Sequence, residues 1–356
     1  MDRRKILKTI SGAIPVSISL SGCMGTEEDA GTTDARTTAV ETSETGTVVS
    51  ASGGGTDDIA PVYVYQVEED DDRRTAIEAL LDRFETDFSG KRVAVKANFN
   101  SGDPFPASTH PETLAALFDA VREGAEVVLA ERSGMGDTST VLEEIGVRDL
   151  AGEKGVDVVL LDDLDSDQWH RRDAPDSHWQ DGFLFPDVFA DADTVVQTCC
   201  LKTHRYGGQF TMSLKNSVGM VAETDPETGH DYMAELHGPD QRKKIAEVNA
   251  AYDPELVVMD ALAGFATGGP ASGERIEPGI VAASRDRIAL DAVGVALLRG
   301  YNTREAVANG PIFEQEQIAK AATLGLGATS LDDVHVVPVN DAAKKVAMTV
   351  SERLQS

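Results

Sequence analysis

Runs of consecutive apolar residues alternate with segments in which apolar residues recur every three or four positions, from about residue 60 to the end of the chain. The first pattern is typical of buried strands and the second of amphipathic helices. The predicted strands are 92–97, 125–131, 156–163, 193–199, 254–262, 277–284 and 334–339. The predicted helices are 111–124, 137–146, 241–252, 285–300, 311–325 and 341–354.

Strands that are apolar along their whole length belong to sheets that are covered on both faces. With helices between them, they predict an α/β fold with a mostly parallel, Rossmann-like sheet and helices on both faces. No internal repeat or second linker interrupts residues 59–356, so a single domain is expected. An irregular stretch that contains Trp169 and Trp179 leaves open a lid or subdomain over residues 170–240.

Polar, glycine-rich segments follow several predicted strands, and ligands bind at this carboxyl edge in open parallel sheets. Glycine lets the backbone approach a ligand closely, and helix N-termini offer free N–H groups to an anion. Taken singly, each glycine loop is better explained as a tight turn. The candidate ligand-binding residues are Lys96, Asn98, His110, Gly134, Gly136, Asp137, Asn216, Asp260, Gly268 and Gly269.

Four of these candidates have more specific interpretations. Lys96 closes a buried strand, where it either faces a ligand or pairs with a carboxylate. His110 precedes Pro111 at a helix start, so it either donates to an anion or caps the helix. Asp137 and Asp260 follow strands and are candidates to hold a metal or a hydroxyl group.

Two lysines and a histidine gather in the segment 201–216, LKTHRYGGQFTMSLKN. Lys202 and His204 follow a predicted strand, and an extended 208–216 would bring Lys215 back to the same edge. Cations placed together repel one another unless something negative lies between them. The segment therefore predicts a site for an anionic or metal-bound ligand, with Lys202, His204 and Lys215 as candidate catalytic residues and His204 as acid or base. The alternative is three surface cations paired with carboxylates.

The acidity of the chain indicates the kind of solvent and partners that the protein has. It has 61 Asp and Glu against 32 Lys and Arg, a formal net charge of -29. Such a charge keeps a protein soluble and repels nucleic acid, so no nucleic-acid partner is expected. Dense salt screens the self-repulsion, which indicates a halophilic source.

The N-terminus has the features of an export signal. Arg3 and Arg4 precede an uncharged stretch over 9–22 that is too short to span a bilayer comfortably. The arginine pair resembles a twin-arginine signal, and LSGC ending at Cys23 resembles a lipobox. Residues 24–58 are rich in Thr, Ser, Gly and Glu, which is typical of a disordered tether. These features predict residues 1–23 as a signal and a protein lipid-anchored through Cys23 on the extracellular face of the membrane.

Motifs for common cofactors are lacking. Besides Cys23 the sequence has only the adjacent Cys199 and Cys200, which form no CxxC spacing and cannot hold an iron–sulfur cluster unaided. The sequence has no HExxH pattern, no GxGxxG after the first strand, no Walker lysine and no GxSxG. No metal site and no iron–sulfur cluster are therefore predicted, and the cofactor stays unassigned.

Five segments resemble, in order, the motifs of the uncharacterised family called domain of unknown function 362. They are 95–117, 131–147, 201–221, 260–273 and 283–299. The resemblance extends over nearly all of 90–330 and implies an α/β fold with a polar site at the motif loops. Many members carry a ferredoxin-like segment with paired CxxC motifs, which this sequence lacks, so the resemblance does not imply electron transfer here.

Two functions from different classes fit these features. The first is an enzyme or cofactor-dependent protein that acts on a small anionic ligand outside the cell. The alternative is a non-catalytic, ligand-binding lipoprotein with the same pocket. Tethered binding proteins are often built from two lobes, and the lack of a two-lobe division favours the first. A purely structural role would leave the polar loops unexplained.

We expect Cys23→Ser to abolish lipid anchoring, because the thiol is the group that receives the lipid. The variant should appear in the medium or stay unprocessed, as measured by membrane fractionation and intact-mass analysis. The same exchange at Cys199 should leave the membrane association unchanged. A Cys23→Ser protein that fractionates with membranes as the wild type does would contradict the anchor.

We expect the fold to weaken as salt is withdrawn, because at a formal charge of -29 unscreened carboxylates repel one another. The melting temperature should rise from millimolar to molar sodium chloride. Potassium chloride should act alike if screening is the cause. A melting temperature that does not change with salt would rule out adaptation to high salt.

Overall fold

A mostly parallel β-sheet forms the centre of the computed structural model, which describes residues 60–69 and 72–355. The strands in this part are β1 (Ala60–Gln66), β2 (Arg92–Lys96), β3 (Glu126–Glu131), β4 (Asp157–Leu160), β5 (Trp169–Arg172), β6 (Phe183–Pro186), β7 (Thr194–His204), β8 (Gln209–Thr211), β9 (Pro254–Gly268), β10 (Gly273–Ile276), β11 (Ile280–Ser284) and β12 (Val334–Pro338). The α-helices are α1 (Arg73–Leu81), α2 (Pro111–Val121), α3 (Thr138–Glu144), α4 (Val147–Lys154), α5 (Asp187–Ala190), α6 (Ser213–Asn216), α7 (Tyr232–Leu236), α8 (Gln241–Val248), α9 (Arg287–Leu298), α10 (Glu305–Ala308), α11 (Glu316–Thr323) and α12 (Ala343–Leu354).

The strands of the main sheet follow the order β12-β1-β11-β9-β7-β2-β3-β4. Strands β9, β7, β2, β3 and β4 are parallel neighbours, whereas β11 runs antiparallel to both β9 and β1. Two short strands extend the carboxyl edge, since β8 folds back on β7 and β10 folds back on β9. The α/β class and the mostly parallel sheet predicted from the apolar runs are therefore confirmed.

Helices cover both faces of the sheet, as predicted. Neighbouring strand residues alternate between two cores: Val257 and Met259 face α9 and α12, whereas Leu256 and Val258 face α1, α2 and α4. Every residue of α9 is buried, which explains why its apolar character extends around the whole helix. This alternation is what a sheet buried on both sides requires.

Several predicted boundaries were wrong in ways that matter for the site. Strands β7 and β9 continue to His204 and Gly268, through segments that had been predicted as loops. The segment 208–216 is not extended throughout, because β8 is followed by the single helical turn α6. Residues 285–287 lie at the opposite edge, since β11 runs antiparallel to its neighbours and Arg285 pairs with Glu255 at the start of β9.

The segment 170–240 contributes both to the sheet and to its cover. It supplies β7 at the centre of the sheet, and it also supplies a β5–β6 hairpin and helices α5 and α7. Trp179, Phe185 and Tyr232 from this cover pack in one cluster with Ala94 and Val128 of the sheet. The predicted signal and tether over 1–58, including Cys23, lie outside the described residues. Among the described helices, none is long and apolar enough to cross a bilayer.

Candidate functional site

A cavity of about 280 Å³ lies at the carboxyl ends of β2, β3 and β7. Its residues come from the ends of these strands, from the loop after each, from α6, and from the α7 region of the cover. Seven residues singled out in the sequence line it: Lys96, Asn98, Gly134, Lys202, His204, Lys215 and Asn216. The three candidate catalytic residues and four of the ten ligand-binding candidates are thus brought together.

The other ligand-binding candidates lie outside the lining and have structural roles. Asp137 caps α3 by accepting from the backbone N–H of Thr140 at 2.8 Å, and His110 caps α2. Asp260 is buried, where it accepts from Arg73 at 3.0 Å and Thr113 at 2.6 Å. These contacts join β9 to α1 and α2. Asp260 therefore stabilises the packing of these helices on the sheet and does not line the cavity.

Three of the four glycine candidates allow tight turns of the backbone and do not line the cavity. Gly136, Gly268 and Gly269 all have positive φ angles and do not line the cavity. A side chain on Gly269 would collide with the carbonyl of Thr203 in β7. The adjacent Pro270 does line the cavity, so this turn closes one wall. For these three glycines the tight-turn explanation fits.

Lys96 and Glu131 form a buried ion pair at the ends of β2 and β3. The Lys96 Nζ lies 2.8 Å from Glu131 Oε2 and 2.6 Å from the carbonyl oxygen of Ala97. Burial lowers the pKa of Lys96 and raises the pKa of Glu131 to about 7. Asn216 accepts from the same ammonium at 3.4 Å and donates to the carbonyl of Thr198 at 3.0 Å, which ties α6 to the pair.

Lys202 is fully buried and has neutral hydrogen-bond acceptors. Its Nζ donates to Asn98 Oδ1 at 2.7 Å and to the carbonyl oxygen of Ala107. Burial lowers the pKa of Lys202, because the charged form is removed from water. No carboxylate within the described residues pairs with this ammonium. Its positive charge is therefore balanced by the dipoles of these two acceptors, and the Asp103 carboxylate acts on it without direct contact.

Lys215 has no hydrogen-bond or ion-pair partner anywhere in the described part of the chain, although it is half-buried. Desolvation, with the Lys202 and Arg132 charges nearby, lowers its pKa to about 8. It is positioned by α6, whose first backbone N–H groups at Ser213 and Leu214 donate to the buried Asp291 carboxylate of α9 at 2.8 and 3.1 Å. Its charge is the least compensated in the cavity.

His204 and Thr211 line the same cavity, and each carries a polar atom without a partner. His204 Nδ1 and Thr211 Oγ1 are buried and have no hydrogen-bond partner among the described residues. Burial, with the Lys215 and Lys202 charges, lowers the pKa of His204 to about 2, so the imidazole is neutral near pH 7. Buried polar atoms without partners are uncommon in folded proteins, and a bound ligand is one explanation for them.

Arg132 and Glu131 are site residues that the sequence reasoning missed. Arg132 is buried and donates to the carbonyl oxygens of Val221 at 2.9 Å and Val218 at 3.3 Å, so its charge is held mainly by the backbone. Both residues stand just before Gly134 and Gly136, two of the predicted ligand-binding glycines. Both could have been identified from the sequence, because a carboxylate and a guanidinium at the end of an otherwise apolar strand are unusual.

The cavity is positively charged within an acidic protein. Four cationic side chains line it, Lys96, Arg132, Lys202 and Lys215, against the two carboxylates of Glu131 and Glu223. Glu223 is exposed and lies 4.0 Å from Arg132, so Glu131 is the buried countercharge. In the described residues no group of three or more His, Cys, Asp or Glu side chains is arranged to hold a metal ion. The arrangement suits a small anion with about two negative charges.

We expect Glu131→Gln to destabilise the fold by roughly 3 kcal/mol, because it leaves the buried Lys96 ammonium without its countercharge. Urea unfolding at constant salt measures the loss. The double variant Lys96→Met/Glu131→Leu removes both charges and should recover most of the stability. Equal losses in the single and double variants would show that the charge pair is not what matters.

Known proteins place this fold and sequence in context. A solved structure of the lactate racemase apoprotein from Thermoanaerobacterium thermosaccharolyticum aligns over 83% of this chain and 90% of that chain, with 11% identity and a TM-score of 0.40. That similarity is too distant for any residue role to be carried over. A thylakoid-associated protein of the cyanobacterium Synechocystis sp. is 28% identical over 218 residues, which are 59% of this chain and 64% of that protein.

The family model described as "Domain of unknown function (DUF362)" matches residues 93–296. The matched region runs from the start of β2 into α9 and includes every strand and helix that contributes to the cavity. The resemblance seen in the sequence motifs is thereby confirmed, and this chain belongs to the DUF362 family.

Proposed function

We propose that this protein binds a small dianionic ligand in the cavity and acts on it at the extracellular face of the membrane. The observation that carries the proposal is the Lys215 ammonium, which has no partner in the described residues although it is desolvated. A desolvated cation without a countercharge is costly, and a bound anion would relieve that cost. His204 and Thr211 line the same cavity, and each has a buried polar atom, Nδ1 and Oγ1, without a partner among the described residues, which supports a polar ligand there.

The roles of the cationic side chains differ in this proposal. Lys202 is fixed by Asn98 and Ala107 and would hold the anion through its ammonium group. Lys215 has a pKa of about 8, so near neutral pH it can both give and take a proton. With a pKa of about 2, His204 is a neutral hydrogen-bonding group in the empty cavity and becomes a proton carrier only when an anion beside it favours its charged form.

The lowered pKa of Lys215 favours chemistry over passive capture. A protein that only captures an anion gains nothing from a lysine that loses part of its charge near neutral pH. A general acid or base, by contrast, works best with a pKa near the working pH. The alternative, a ligand-binding lipoprotein, would use the same cavity with Lys215 fully charged in the bound state.

The proposed location depends on the N-terminal segment. Arg3, Arg4 and the LSGC motif at Cys23 support export by the twin-arginine route and a lipid anchor. The net charge of -29 supports a very salty surrounding. The cyanobacterial relative is named as a thylakoid-associated protein, and association with a membrane is the property that a lipid on Cys23 would give to this chain.

We expect Lys215→Met to weaken binding of malonate roughly 10- to 100-fold, because a charged hydrogen bond to the anion is lost. Calorimetric titration with malonate and with inorganic phosphate measures the affinity. Wild-type affinity for malonate, which stays ionised, should fall as the pH rises above about 8, where Lys215 loses its proton. This fall should be absent in the variant.

The melting temperature of Lys215→Met should stay unchanged or rise, because the fold lowers the pKa of Lys215 and so disfavours its charged form at neutral pH. Lys344→Met is the matched control, since it removes the same charge from an exposed lysine paired with Asp341. It should change neither affinity nor pH profile. If neither malonate nor phosphate binds the wild type, or if the two variants bind alike, the proposal is wrong.

A further inference from the structure

The cavity is chemically divided between its buried end and its rim. Its cations and amides, represented by Lys96, Lys202 and Asn98, are almost fully buried and form the closed end. The rim is formed by exposed residues, among them Met135 and Tyr206. A ligand that fills the cavity therefore meets cations at the closed end, and at the rim it meets the apolar Met135 and Tyr206 beside the polar Glu223 and His237.

The apolar rim is unusual for this protein. Four large hydrophobic side chains are exposed in the described part of the chain, namely Met135, Tyr206, Tyr301 and Met348. Two of them, Met135 and Tyr206, line this one cavity, and each is 46% exposed. Exposed apolar surface next to a polar site often marks the place where a ligand is covered.

Further apolar residues continue from the rim into the cavity. Met233, Leu236 and Pro270 line the walls. The Tyr206 ring lies edge-on to the His204 imidazole, with ring centroids 5.7 Å apart. The rim is thus in contact with His204, a neutral residue of the buried part of the cavity.

We propose that the ligand is an amphipathic anion, with a dianionic head at the buried end and an apolar group against Met135 and Tyr206. This inference rests on the proposed function, because it takes the anion site as given and assigns the remainder of the ligand. The cavity of about 280 Å³ lies just below the roughly 300–1,000 Å³ usual for small-molecule pockets, so the apolar group is no larger than a short alkyl chain or one aromatic ring.

The test compares each anionic head with and without an apolar group. Inorganic phosphate is compared with phenyl phosphate, and malonate with benzylmalonate, by calorimetric titration of the full chain at constant salt. The conclusion is drawn from the pair of probes whose bare head, phosphate or malonate, binds more tightly. We expect the apolar group to strengthen binding at least tenfold, since burying apolar area gains about fourfold per methylene.

The rim variants identify the contact. Tyr206→Ser and Met135→Ser should each remove most of the gain from the apolar group and leave the affinity for the bare head within about twofold. The matched controls are Tyr301→Ser and Met348→Ser, which change the same two residue types at exposed positions that do not line the cavity. These controls should bind all four probes as the wild type does.

The outcomes distinguish a failure of the amphipathic ligand from a failure of the anion site. If the bare heads bind but the apolar groups add nothing, the amphipathic ligand is wrong and the anion site stands. The same holds if the apolar gain survives in both Tyr206→Ser and Met135→Ser. If no probe binds, the anion site fails and the amphipathic ligand fails with it.

Discussion

The burial of positive charge at the carboxyl edge of the sheet is the constraint on which the site depends. Taking an ammonium group out of water is costly unless a carboxylate or several dipoles replace the water. Lys96 meets this requirement through Glu131, and Lys202 meets it through Asn98 and the carbonyl of Ala107. Lys215 is the member of the group to which no other described residue supplies such a partner. The positive charges of the cavity are therefore unequally compensated, and the least compensated one is that of Lys215.

The same constraint explains the construction around α6. This single turn carries Lys215 and Asn216 and is too short to be stable by its own hydrogen bonds. Asp291, from the middle of the fully buried α9, accepts the first backbone N–H groups of α6. Burial raises the pKa of Asp291 to about 7, so this contact also has an electrostatic cost. The position of the uncompensated lysine is therefore determined by the core of the domain.

The sequence predicted the architecture better than it predicted the site. Apolar runs identified the long strands from β2 onward, because buried strands leave a continuous apolar pattern. The sequence reasoning missed β1 and the short strands β5, β6, β8 and β10, and it missed the helices α1, α4, α5, α6, α7 and α10. Continuation of β7 through Lys202 and His204 could not be read, because charged residues normally end a buried strand. Their neighbours in space, Asn98 and Ala107, are about a hundred positions away in the chain.

Seven site candidates were found because they stand at or just after the ends of strands, or in the segment after β7 that folds back to the same edge of the sheet. The topology of a parallel sheet places such residues together. Asp260 stands within β9 and was misplaced because its partners, Arg73 and Thr113, come from helices that cover the other side of the strand end. Asp137 and His110 were misplaced because a helix cap and a ligand contact use the same residue types at the same positions. Only the three-dimensional contacts separate the two uses.

Glycines at the buried end limit what evolution can change in this cavity. A side chain on Gly208 would meet Lys215 at 2.9 Å, and one on Gly219 would meet Lys96 at 3.0 Å. Mutation at either position therefore displaces a lysine before it alters the shape of the cavity. Met135 and Tyr206, by contrast, stand in exposed loops, and neither contacts one of the lysines of the cavity through a hydrogen bond or ring contact in the described residues. Descendants of one ancestral protein can thus diversify at the rim while they inherit the same charged interior.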